Sequence, residues 1–373
     1  MSGELSITGV GAVTPVGLSA QATCAALRAG VARMGTVASS QVEAEFGGIG
    51  PATGGRVPLE WLRGGPEVEE WPGHEHFEIE PPSPAELFIP DGPARLVALA
   101  VPAAHEAWSG TGRGVNPPPN WGLFIGLAEA ESGKELLRGL VDSFPSWRPS
   151  SGEVINCGRA SALVALHRAV AEIASNRIAG ALVGGVDSLL RPSVYESLTE
   201  AGQLRDADDN PEGIYPGEAA AFIALEKRPV SGRIFARLLS TGTAEEPTAG
   251  TEQPNRGEGL TAAIRSARAA TPHLKDRPLV ICDLNGNRYR ALEWGLALIR
   301  ALGDLRWREG KAPSDEFWHP ADCMGDIGAA SGILNCLWAV ESLRKGYAGT
   351  SQVLVWGASD TSPRAASIIG TNS

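Results

Sequence analysis

The chain lacks what a nucleic-acid binder, a disulfide scaffold or a membrane protein would need. Its 373 residues carry 32 Lys and Arg against 43 Asp and Glu, a formal net charge of −11. No basic run occurs, so phosphate neutralisation is excluded as a general task and no nucleic-acid partner is expected. The five cysteines (Cys24, Cys157, Cys282, Cys323 and Cys336) are an odd, scattered set with no CxxC pair, which argues against disulfides and zinc and reads as buried or idle thiols. No stretch approaches the roughly eighteen apolar residues of a membrane span, and the amino terminus MSGELSITGVGAVTPVG has neither a basic n-region nor a long apolar h-region. A soluble, cytoplasmic protein without membrane contact is expected.

Motifs of the common cofactor enzymes are also missing. There is no Walker loop, GxSxG elbow or HExxH. Gly9, Gly11 and Gly17 have the wrong spacing for a dinucleotide fingerprint, and Pro15 interrupts the turn. His74 and His76 lie in an acidic loop without helical spacing and read as solvent-exposed, and His105, His167, His273 and His319 are isolated. No metal and no cofactor are expected.

What is present is ample apolar material: 43% of the chain is hydrophobic and 20% charged, so a packed fold is the default. Ten tryptophans against four tyrosines suit either core anchors or the buried anchors of a protein interface. Leu5–Val10 alternates as a strand, and Ser19 can cap a helix from Ala20 to Ala29. Residues 47–93 turn rich in Pro, Gly, Glu and Trp with no clean period and read as an acidic surface insertion. A capped helix over Asp91–Trp108 and a buried strand over Gly122–Gly126 follow.

Two passages then look alike. An apolar helix over Ala160–Ala174 leads to a strand Ala181–Val183 and a glycine turn at Gly184 and Gly185. Gly325, Asp326 and Ile327 open an apolar helix through Leu343, followed by a strand Val353–Trp356. Both helices are apolar nearly all round, the mark of helices buried on every side. Between the passages lie a strand Arg233–Leu239, a helix Gly259–Ala269, a strand Leu279–Leu284 and a helix Leu292–Leu302. This predicts an α/β protein of two duplicated halves, about 1–230 and 231–373, forming a five-layer αβαβα sandwich.

The opening ITGVGAVTPVG, the strand GLFIG, ALVGGVDS, PGEAAAFIALEKR (Pro216–Arg228), GDIGAASGI and the closing VLVWGASDTSPRAASII together resemble the β-ketoacyl-acyl carrier protein synthases of the thiolase superfamily. The resemblance covers nearly the whole chain, with poor agreement over 47–93 and 127–155. It implies a cysteine nucleophile at the start of the first buried helix, where helix dipole and backbone N–H groups favour a thiolate and the following oxyanion. Spacing from Gly184 and Gly185 places that position at Arg159, whose protonated guanidinium cannot attack a thioester. The two family histidines fall on Asn285, which cannot shuttle protons near neutral pH, and on Asp326, whose carboxylate would repel a developing oxyanion. The usual glycine-rich final loop reads Trp356, Gly357, Ala358, Ser359, Asp360, Thr361, with side chains where the family keeps glycine.

The resemblance therefore implies a degenerate ketosynthase in which Arg159, Asn285 and Asp326 converge at the base of one pocket. Either an Arg159–Asp326 ion pair plugs that pocket or the polar cluster binds a small anion or acyl ligand. Cys157, two residues before the expected nucleophile, is the one outside candidate for a reactive thiol; the bland alternative is a buried thiol on the strand that crosses the family's dimer interface. The expected function is that of a binding, adaptor or chaperone partner, as a homodimer or heterodimer, with a bacterial type VI secretion effector as the partner that the resemblance suggests. The alternatives are a chain-length-factor-like subunit of an active ketosynthase, against which the chain's short length counts, and altered chemistry at Cys157 or Asp326.

Overall fold

The computed structural model describes residues 4–37, 53–58, 62, 92–205, 210, 213–229, 232–271, 274, 276–306 and 317–372. In chain order the elements are β1 (Leu5–Val13), α1 (Ala20–Ala29), the short pair β2 (Gly35–Thr36) and β3 (Thr53–Gly54), α2 (Pro93–Gly110), β4 (Trp121–Gly126), α3 (Gly133–Ser143), β5 (Ser151–Ile155), α4 (Ser161–Ala174), β6 (Gly180–Ser188), α5 (Pro192–Glu200) and β7 (Glu218–Glu226). Then come β8 (Ala236–Glu245), α6 (Glu258–Ala269), β9 (Leu279–Cys282), α7 (Arg288–Leu302), β10 (Phe317–Trp318), α8 (Ala321–Met324), a 3-10 turn (Gly328–Ala330) running into α9 (Ser331–Arg344), β11 (Gln352–Ala358) and β12 (Pro363–Gly370).

The strands run β10-β9-β11-β12-β8-β1-β7-β6-β4-β5. Each half of that order, read by its own sequence, is third, second, fourth, fifth, first, with the fifth strand antiparallel to its neighbours. The halves meet edge to edge through Leu5–Leu238, Ser6–Arg237 and Ile7–Ala236. The expected boundary at 230/231 lies outside the described residues, as do His74, His76 and most of the 47–93 segment.

Three apolar clusters give the layers. One joins α2 and α3 to the outer face of the first sheet half. A central one places α4 and α9 between the sheet halves. The third covers the other face of the second half with α6 and α7. That is the αβαβα arrangement: β7 buries Ile223 and Leu225 in the central layer and Phe222 and Ala224 on its other face, β11 buries Val353 and Val355 centrally and Leu354 and Trp356 on its other face, and both therefore read as continuous apolar runs. The described tryptophans, apart from half-buried Trp318, lie in these layers as core residues.

Local chemistry explains the boundaries. Ser19 accepts a hydrogen bond from the Ala22 N–H and Gly30 closes α1 in the left-handed region, so that helix falls where capping rules put it. The helix expected from Asp91 instead begins at Pro93 behind Gly92, with no side-chain cap. The glycine turn expected at Gly184 and Gly185 is absent: β6 runs straight through both. A Cβ on Gly184 would meet the Phe222 ring at 2.2 Å, and one on Gly185 the Ala329 carbonyl at 2.6 Å, so these glycines serve close approach and not a turn. Helix α9 is buried on every side save Arg344. Helix α4 is not, because Arg168, Ala171 and Ala174 face outward.

Candidate functional site

The start of α4, the end of β9, the segment before the 3-10 turn and the loop between β11 and β12 converge. Arg159 lies two residues before α4 and is 12% exposed; its Nη1 pairs with the Asp326 carboxylate, which is 4% exposed. Asn285 Nδ2 donates to the same carboxylate at 2.5 Å, and the Gly328 N–H donates to its other oxygen at 2.9 Å. Three sequence-expected positions thus share one carboxylate. Its backbone is equally fixed: the Asp326 N–H donates to the Tyr215 carbonyl at 2.7 Å and its carbonyl accepts from the Gly217 N–H at 2.8 Å. Both polar ends of Asn285 are engaged, since its Oδ1 accepts from the Asn287 N–H.

The network extends outward. Arg159 Nε lies 3.3 Å from Asp360 Oδ2, and Asp360 accepts from Arg290 Nη2 at 2.8 Å. Arg290, buried in the first turn of α7, also pairs with Asp283 at 3.0 Å, and the same Asp283 oxygen accepts from the Ala358 N–H. Carboxylates and guanidiniums alternate: Asp326, Arg159, Asp360, Arg290, Asp283. Asp360 is exposed, so the raising effect of its partial desolvation is outweighed by the adjacent Arg159 and Arg290 charges, which hold its carboxyl at about 2. Asp283 is pushed up by burial, partly offset by Arg290. Asp187, at the end of β6, is likewise raised by burial to about 6 although it accepts from the Ala329 N–H.

The helix start itself is closed. The Ala160 N–H donates to Ser359 Oγ at 3.0 Å, and Ser359 Oγ in turn donates to the Cys157 carbonyl. A hydroxyl from the final loop therefore occupies a backbone donor at the place where such a helix would present N–H groups to an oxyanion. Arg364, buried beside Glu293, holds that loop by donating to the carbonyls of Ser359 and Thr361.

Cys157 is two residues past the end of β5 and not on the strand, as the bland reading had it. It is half-buried, with Ser161 Oγ donating to its sulfur at 3.6 Å. Burial pushes its thiol up, against a smaller lowering by Ser161, so it stays protonated at neutral pH. The described histidines are engaged elsewhere: His105 stacks on Phe144, His167 bonds Thr241 at 2.8 Å and His319 pairs with Asp322. Among the described residues no group of three or more His, Cys, Asp or Glu could hold a metal, and no helix is long and apolar enough to cross a membrane.

Sequence reasoning missed Arg290 and Asp283. One signal was available: an arginine in the first turn of a helix opposes the dipole and calls for a specific carboxylate partner.

Residues 154–230 match the family described as beta-ketoacyl synthase, N-terminal domain. A partially reducing polyketide synthase of Talaromyces stipitatus is 31% identical over 198 residues, 49% of this chain and 8% of that protein. Polyketide synthase ThaG of Burkholderia thailandensis is 27% identical over 51% of this chain and 4% of its own length. The chain thus spans only a small fraction of these curated relatives. Among solved structures, the ketosynthase from module 6 of the bacillaene synthase of Bacillus subtilis 168 aligns over 99% of this chain and 72% of its own with a TM-score of 0.75 at 14% identity. The ishigamide ketosynthase/chain length factor aligns over 99% of both chains, again at 0.75, with 16% identity. The strand order, the two central helices and these likenesses agree: the chain has the thiolase-like fold of the β-ketoacyl synthase superfamily, whose N-terminal domain family its residues 154–230 match.

Proposed function

We propose that this chain is a ketosynthase-like protein that forms no carbon–carbon bonds and works in the cytoplasm as a binding, adaptor or chaperone partner of another protein. The observation that carries the reading is the closed helix start: Arg159 occupies the expected nucleophile position and pairs with Asp326, while Ser359 takes the Ala160 N–H. A condensing site needs a nucleophile, a proton shuttle and a free oxyanion hole. In their place stand a guanidinium, an amide, a carboxylate and a hydroxyl. The network's two arginines already face three carboxylates, which disfavours capture of a further anion.

A partner role is supported by β5, which pairs only with β4 and leaves its other edge open among the described residues. A homodimer or heterodimer through that edge is consistent with the proposal. The client we name is a bacterial type VI secretion effector. Co-expression with an effector encoded beside it should yield a stoichiometric complex, and separate elution of the two proteins would refute that assignment.

A second reading is favoured by one comparison. Alignment over 99% of both chains with the ishigamide ketosynthase/chain length factor removes the objection from length for that protein. In this reading the chain is a chain-length-factor-like subunit, and co-expression with an active ketosynthase should give a heterodimer whose product length changes when this chain is altered.

A further inference from the structure

At the opposite end of α4 from Arg159 lies a cleft of about 390 Å³ lined by Arg113, Asn120, Asn176, Arg177, Lys227 and Arg228 over a floor that includes Trp121 and Ile178. The helix has 14 residues, so at about 1.5 Å per residue this cleft is about 21 Å from the network above and is a separate place. It forms where the chain leaves α2, enters β4 and β6, and leaves β7. Four cations thus converge from three segments of a chain whose net charge is −11.

Two of these charges are already matched. Arg113 Nη2 pairs with Glu226 at 2.5 Å, and Arg177 makes a fork on Glu172 with both contacts at 2.6 Å. The other two are not: Lys227 Nζ donates to the neutral Asn176 Oδ1 at 3.2 Å, and Arg228 has no side-chain partner among the described residues. Arg113 Nε is buried with no hydrogen-bond partner among the described residues, while the guanidinium stacks 5.4 Å from the Trp121 ring. Asn176 is the one described non-glycine residue with positive φ, a conformation set by its place just past the α4 terminus.

We propose that this cleft binds a small phosphate-bearing anion of the phosphate monoester class. The local excess of two positive charges matches a dianion, guanidinium and ammonium donors are the groups that recognise phosphate oxygens, and the volume suits a small ligand and not a polymer. The site does not depend on whether the α4 start is catalytic.

The test is an amide-shift titration of the full chain with inorganic phosphate at constant ionic strength, in parallel with the Lys227→Ala/Arg228→Ala variant. Both residues are exposed at the end of β7, so the fold is retained, and an unchanged melting temperature verifies it. Saturable shifts at Asn120, Asn176 and Ala179, with affinity weakened about tenfold in the variant, are expected from losing two charge-assisted contacts. Shifts that drift without saturating, that chloride reproduces, or that persist in the double variant overturn the proposal. So does a response to polyglutamate without one to phosphate, which would assign the cleft to an acidic protein surface.

Discussion

Replacing Arg159 by alanine should destabilise the protein because it strands a buried carboxylate. Asp326 is 4% exposed and Arg159 12%, so the pair is largely out of water, and breaking such a pair from one side costs about 3–5 kcal/mol. Two donors remain on Asp326, from Asn285 and the Gly328 N–H, and the thin solvent access to Arg159 admits some rehydration, which brings the expected loss to about 2–3 kcal/mol. The clean measurement is a double-mutant cycle with Arg159→Ala, Asp326→Ala and the pair, followed by urea unfolding and tryptophan fluorescence. A coupling of about 1.5–2.5 kcal/mol is expected for residues that share one bond network. Coupling below about 0.5 kcal/mol would mean that the two groups do not compensate each other's burial, and the idea of a plugged pocket would fail.

Other outcomes follow from the same network. Asp187 is raised from 3.8 to about 6 by burial, so the stability linked to its neutral form is full below about 3.8 and is lost as pH rises through 6; relative to wild type, Asp187→Asn should gain about 2 kcal/mol between pH 4 and pH 7, and parallel pH profiles would contradict this. Asp360, held at about 2 by Arg159 and Arg290, has a side chain 71% exposed; its contribution is present above the ordinary carboxylate value and lost as pH falls through about 2, and Asp360→Asn should cost well under about 1 kcal/mol, less still in high salt. Asn335 sits in α9 with no solvent exposure and neither amide atom bonded among the described residues, so Asn335→Leu should raise the free energy of unfolding by about 1–2 kcal/mol, and a lowered unfolding midpoint would show that the amide has a partner.

Much of the fold was legible because local rules and tertiary packing agree. Helix α1 was placed to the residue, since Ser19 and Gly30 cap it wherever its apolar face packs. The core strands β4, β9 and β11 announced themselves by short apolar runs. Failure came where one residue type serves two ends. Gly184 and Gly185 read as a turn but are close-approach glycines, and alanine, apolar yet tolerant of water, made α4 look buried all round when Ala171 and Ala174 are outside. The amphipathic α3 and α5 went unread, and β8 was placed several residues early because its alternation continues through Thr241 and Thr243, which carry no hydrophobic signal. At the site, the meeting of Arg159, Asn285 and Asp326 came from family resemblance, since residues so distant in sequence leave no local mark. The Ser359 hydroxyl on the α4 start could not be read at all, because it depends on the path of a loop.

The most direct measurement is an assay of the purified chain with an acyl thioester primer and a malonyl thioester, monitored for decarboxylation, for chain extension and by mass spectrometry for acyl transfer to protein. The account predicts no extended product above the protein-free control and no acyl group on Cys157. An extended product, or stoichiometric acylation of Cys157, would show that the site is alive and the account wrong.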